Sequence, residues 1–187
     1  MGVRSASGTY RRVESGFRPV QSLQWGRMAV TKISMERIGE PFHFEARNTV
    51  GNAVMIDAGA AIGGTGKGAR PMELLLMGLA GCSGIDVGTI LRKQRQNITS
   101  MRVDVEGERG ESQEANPFQQ IRVLFALAGE IDESHLKRAI ELAMDKYCSV
   151  AKTLDKTATI TWEYKLNPST SSGQAPSTDS TEFTPSA

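Results

Sequence analysis

Gly78, Gly81, Gly84 and Gly88 recur every three or four residues within the most apolar segment of the chain. Pro71 opens that segment, and Arg92, Lys93 and Arg95 close it. Pro suits the first position of a helix and basic side chains suit its negative end, so the segment is expected to form one long helix with a bare stripe. Each Gly inside a helix costs roughly 1 kcal/mol against Ala. Four of them in one helix need a reason, and close backbone approach by another helix supplies it. Leu74, Leu75, Leu76, Met77, Leu79, Ile85, Val87, Ile90 and Leu91 make the other faces apolar too, which predicts a helix buried all round. For a chain of 187 residues, such burial is expected across a dimer interface as well as within one subunit.

Before this helix, residues 29–38, 41–47 and 52–57 are short, partly alternating segments parted by Gly39-Glu40 and Val50-Gly51, the pattern of a strand meander. After it, 98–106 and 120–128 read as two long strands around a polar turn at 107–117, a hairpin with a flexible tip. Asp132 is a good N-cap for a second helix, whose Leu136, Ala139, Ile140, Ala143, Met144 and Tyr147 share one face. A short helical stretch through Leu154 and an alternating strand over 157–166 complete the order βββ-α-ββ-α-α-β, an α+β domain over 29–166. Residues 167–187 are rich in Ser, Thr, Pro and Gly and are expected to be a disordered tail. The first 28 residues share the Ser- and Arg-rich composition of an organelle transit peptide, with Glu14 as their single acid. The plainer expectation is a flexible extension, or initiation at Met28.

The balance of 22 basic and 21 acidic side chains, mostly interleaved, offers no clustered grip on phosphates, so no nucleic-acid partner is expected. No run of apolar residues reaches the roughly 18–20 needed to span a bilayer, because Asp86 and several Gly interrupt the most apolar stretch. A cytoplasmic protein without a membrane partner is expected. Two Cys make no secreted disulfide framework, and with only His43 and His135 beside them no structural zinc site is expected. Two thiols in a reducing compartment are then either inert core residues or a functional pair.

Cys82 and Asp86 are four residues apart and so lie one turn apart on the same helix face. The plain reading is that Asp86 caps or pairs and that Cys82 fills space; a reactive Cys82 needs a cation or a dipole to hold its thiolate. Arg37 and Arg47, on or beside the early strands, are the candidate cations. Cys148 stands at a junction between two helices, where the free N–H groups of the following turn are expected to lower its pKa. The glycine-rich loop at 63–68 fails both common phosphate-binding patterns and reads as a flexible loop before the helix. Both His read as structural, and no GxSxG, HExxH or CxxC is present.

The segment from Arg70 through Gly81-Cys82-Ser83-Gly84-Ile85-Asp86 to Val87 is followed, 66 residues after the first Cys, by Lys146-Tyr147-Cys148-Ser149-Val150-Ala151-Lys152. Together these resemble the OsmC/Ohr family, in its YhfA-like subgroup, over roughly 29–166. The resemblance implies an intertwined homodimer around two long central helices, with the thiols at the subunit interface. It implies that Cys82 attacks a peroxide and becomes a sulfenic acid, that Cys148 resolves it as a disulfide, and that an external dithiol reduces the pair. Organic hydroperoxides are the substrates it implies, with no cofactor and no metal. Active members carry an acid directly after the helix-opening Pro to pair an activating Arg. Met72 stands there in this chain, and Glu73 follows one residue, or about 100° of helix, later. Cys82, Cys148, Glu73, Arg37 and Arg47 are therefore the candidate catalytic residues. The competing expectation is a nonenzymatic stress-associated member that binds a small apolar ligand or senses redox state at the same interface.

Overall fold

The computed structural model describes residues 30–111 and 115–168. The expected extension at 1–28 lies outside them, as do the tip of the polar turn at 112–114 and the expected tail from residue 169 onward, whereas Asn167 and Pro168, expected in that tail, end the last strand. Strands β1 (Ile33–Gly39), β2 (His43–Asn48) and β3 (Ala53–Ile56) form one antiparallel sheet in sequence order. Helix α1 (Pro71–Lys93) leads into a second sheet, in which β4 (Asn97–Glu108) pairs antiparallel with β5 (Gln120–Glu130). The chain then crosses through α2 (Glu133–Leu142), a π-helical turn at Ala143–Tyr147 and α3 (Ser149–Leu154). It returns as β6 (Thr159–Pro168), parallel to β5. A parallel pair needs such a crossover, which explains why helices separate these two strands. The α+β class and the expected order of elements both hold, with a 3₁₀ turn at Ala60–Ile62 added before α1.

The core forms where the helices cover one face of the second sheet. Along β5 the alternating Ile121, Val123, Phe125 and Leu127 are buried, and α2 answers with Leu136, Ala139 and Ile140. Asp132 does cap α2, accepting the N–H groups of Ser134 at 2.9 Å and His135 at 3.1 Å. Helix α1 contributes Leu79, Ser83, Val87 and Leu91, a stripe with a four-residue step. Each fully buried Leu or Val there stabilises the fold by about 1.5–3 kcal/mol. By length and apolarity alone α1 would suffice to cross a bilayer, yet this stripe lies against the sheet.

Two expectations about α1 are not met within one chain. The helix is not buried all round, because Met77 and Ile85 are 57% and 71% exposed. Nor does another helix press closely on its glycines: a Cβ on Gly78 would lie 4.0 Å from Val150 of α3, while one on Gly84 would lie 3.4 Å from Val103 and one on Gly88 3.5 Å from Met101, both side chains of β4. Those are ordinary contacts, and a Cβ on Gly81 would meet nothing within 4 Å. One subunit therefore supplies no steric need for the stripe. The small sheet is similarly bare, with Ile33, Met35, Val54 and Met55 all exposed.

The glycine-rich loop expected to be flexible is instead tied to a buried carboxylate. Asp57 accepts hydrogen bonds from the N–H groups of Ala58, Thr65 and Lys67 and from the Thr65 hydroxyl, at 2.7–3.2 Å. Gly64 and Gly68 permit this wrap, since a Cβ on Gly64 would fall 1.8 Å from the Ala58 carbonyl oxygen and one on Gly68 2.6 Å from the Ile56 nitrogen. The Thr65 hydroxyl foremost, helped by the backbone N–H groups and opposed by burial, lowers the Asp57 pKa from 3.8 to about 2. A depressed folded-state pKa gives stability that is complete above the unfolded value and lost as pH falls through the folded one. Asp57→Ala is accordingly expected to lower the melting midpoint at neutral pH by roughly 5–10 °C. That deficit against wild type should shrink in melts taken between pH 3.8 and about 2.

Candidate active site

The fold brings Cys82 and Cys148 together although 66 residues separate them. Cys82 lies on α1, half-buried, one helical turn before Asp86. Cys148 is fully buried and caps α3, its Sγ accepting the Ala151 N–H at 3.4 Å. The two sulfurs and one Asp86 carboxylate oxygen all lie within 4.8 Å of one another. Both cysteines are free thiols.

The electrostatics of this cluster differ from expectation. The N-terminal turn of α3 was expected to lower the Cys148 pKa, and the Ala151 N–H does act in that direction. Burial outweighs it, and the adjacent Cys82 thiol raises the value further, so the Cys148 thiol is pushed up to about 11. One hydrogen bond from a six-residue helix does not replace the water lost around a thiolate. Asp86 is also raised, by burial, and its Oδ2 is buried with no hydrogen-bond partner. Among the described residues, no Lys or Arg acts on either group. Against the ordinary 9.0, the Cys148 shift leaves roughly 100-fold less thiolate at neutral pH. Iodoacetamide is therefore expected to label Cys82 first, with Cys148 slower than an ordinary thiol by about that factor, as read by mass spectrometry of the two peptides.

The other three candidates are not at this cluster within one chain. Arg37 pairs with Glu40 at 2.9 Å, and Arg47 pairs with Glu45 and donates to the Gly51 carbonyl oxygen at 3.2 Å, both on the small sheet. Glu73 is engaged at the start of α1, where it accepts the Arg70 N–H at 2.8 Å. Nine residues of helix place it about 13 Å along the axis from Cys82. Met72, directly after the helix-opening Pro71, packs against the core.

A cleft of about 470 Å³ adjoins the cluster at Asp86, with Thr89, Ile90 and Lys93 of α1 on one side and Leu142 and Tyr147 on the other. The spacing 86, 89, 90, 93 marks one face of a helix and was legible in the sequence. The facing wall was not, because it depends on how the crossover after β5 packs.

Residues 64–163 match the family model described as OsmC-like protein. The Escherichia coli K12 protein YhfA is 35% identical over 128 residues, covering 68% of this chain and 92% of YhfA. Among solved structures, a hypothetical protein from Aquifex aeolicus superposes with a TM-score of 0.63 at 30% identity, over 75% of this chain and 99% of that one. An organic hydroperoxide resistance protein from Legionella pneumophila shares the fold with a TM-score of 0.59 at 12% identity, over 75% and 99% of the two chains. On its sequence and its fold, this chain belongs to the OsmC-like protein family.

Proposed function

We propose that this chain is a thiol-dependent peroxidase for organic hydroperoxides, acting as a homodimer in the reducing cytoplasm. The observation that carries the reading is the approach of the Cys82 and Cys148 sulfurs to within 4.8 Å of each other. The Cys82 thiolate attacks the terminal oxygen of the hydroperoxide, the O–O bond breaks, and the alcohol leaves after taking a proton. Cys82 is then a sulfenic acid. The Cys148 sulfur attacks the Cys82 sulfur, an S–S bond forms, and the hydroxyl departs as water. An external dithiol restores both thiols while its own pair becomes a disulfide. This cycle uses no cofactor, and the apolar walls of the cleft at Ile90, Leu142 and Tyr147 suit the organic part of the peroxide.

The homodimer reading rests on what one subunit leaves uncovered. Met77, Gly78, Gly81 and Ile85 form an exposed, partly bare face of α1, and the small sheet is apolar and open. A second copy laid on these surfaces buries both, gives the glycines a close neighbour, and carries its own Arg37, Arg47 and Glu73 toward the thiols. One equivalent of cumene hydroperoxide is expected to consume two thiols per chain rapidly, as counted with a chromogenic disulfide. Thiols that persist under excess peroxide would overturn the enzyme in favour of a ligand-binding member of the family.

A further inference from the structure

Three donor atoms of two chemical kinds converge at the cluster: the Cys82 and Cys148 sulfurs and an Asp86 carboxylate oxygen, all within 4.8 Å of one another. Three features set this group apart from a plain thiol pair. Asp86 Oδ2 is buried without a partner in the protein, which leaves an acceptor free to face the two sulfurs. Among the described residues no ion pair involves Asp86, so its charge has no protein counter-ion. The third feature is architectural. Cys82 and Asp86 sit one turn apart on the 23-residue helix α1, while Cys148 is held at the start of α3 by the Ala151 N–H, so the donors stand on packed elements.

We propose that Cys82, Cys148 and Asp86 form a binding site for a thiophilic divalent cation, zinc in the cell. Two thiolates select a soft or borderline cation over magnesium or calcium, and a carboxylate completes a three-ligand set that leaves a fourth, tetrahedral position open. Donors on tetrahedral zinc lie about 3.6–3.8 Å apart, given metal–sulfur bonds of about 2.3 Å and metal–oxygen bonds of about 2.1 Å. Closing from 4.8 Å or less asks for movements of about 1 Å, within the reach of rotamer adjustment at the half-buried Cys82. The divalent charge also supplies the counter-ion that the two thiolates and Asp86 lack. A water or a small anion would complete the shell at the open position. The same sulfurs serve either the cation or a disulfide, never both at once.

Cobalt is the probe, because its visible bands report tetrahedral geometry and its near-ultraviolet charge transfer reports thiolate ligation. Titration of the reduced full-length protein without oxygen is expected to saturate at about one cobalt per chain, with both bands present and both removed by added zinc. Cys82→Ser and Cys148→Ser should each weaken binding roughly 100-fold and diminish the charge transfer, and Asp86→Asn should weaken it about 10-fold while keeping that band. Asp86→His keeps a donor and is expected to retain tight tetrahedral binding, which controls for misfolding together with far-ultraviolet circular dichroism. Absence of charge transfer in the wild type, or its survival in full in either folded Cys variant, overturns the site. Unchanged affinity in Asp86→Asn overturns the three-donor set. No peroxide enters this titration, so its failure leaves the peroxidase reading intact, and failure of peroxide turnover leaves this site intact.

Discussion

Cys82→Ser is expected to abolish peroxide turnover, lowering the rate with cumene hydroperoxide by at least about 1,000-fold, because the atom that attacks the peroxide is removed outright. Cys148→Ser is expected to behave differently. It should still consume one equivalent of peroxide and then stop, holding a Cys82 sulfenic acid that dimedone traps and mass spectrometry detects. Wild type should lose both thiols, and the second loss should depend on pH. Burial and the neighbouring Cys82 hold the Cys148 thiol up at about 11, so its thiolate fraction rises about tenfold per pH unit below that value. The disulfide-forming step is thus expected to accelerate toward alkaline pH when followed by rapid quenching and thiol counting. A second loss independent of pH would mean that oxidation of Cys82 itself removes the restraint on Cys148. Equal behaviour of the two Ser variants would sink the assignment of separate attacking and resolving roles.

How much of this was legible in the residues depends on the range of the interaction involved. Pro71 at the start of α1, Asp132 capping α2 and the alternation along β5 are local signals, and the elements they announce all form. The shared turn of Cys82 and Asp86 follows from helical spacing alone. The meeting of Cys82 with Cys148 does not, since 66 residues and an entire hairpin lie between them, and it was reached through resemblance. The pKa of Cys148 was misjudged because a helix start can be read from neighbouring residues whereas burial under α1 cannot. The Asp57 cradle was missed for a related reason: a carboxylate that organises a turn eight to ten residues away looks, in sequence, like the end of a strand followed by glycines. Glu73 was grouped with the thiols by analogy to relatives, and Arg37 and Arg47 as cations on or beside the early strands; within one chain their partners are Arg70, Glu40 and Glu45 instead.

That last separation bears directly on the proposed homodimer. A reactive thiolate at Cys82 needs a cation or a dipole, and among the described residues one subunit directs no Lys or Arg at the cluster, so the proposed peroxidase is expected to draw that charge from a second copy. Introducing charge at the bare face of α1 through Met77→Glu and Ile85→Glu together is expected to convert the proposed dimer to monomer in sedimentation and to remove peroxide turnover with it, while circular dichroism shows the fold intact. Mixing tests the origin of the cation more sharply. Cys82→Ser chains keep both arginines, and chains carrying Arg37→Ala and Arg47→Ala keep both thiols, so each homodimer is inactive if the cation crosses the interface. After subunits exchange at equal concentration, about half of the dimers are mixed, and each has one site with a wild-type thiol facing wild-type arginines. Activity should therefore return to about a quarter of the wild-type level. If either arginine acted on the thiol of its own chain, no mixed site would be complete and mixing would restore nothing. Turnover retained by the double arginine variant alone would instead assign the activating charge to another residue.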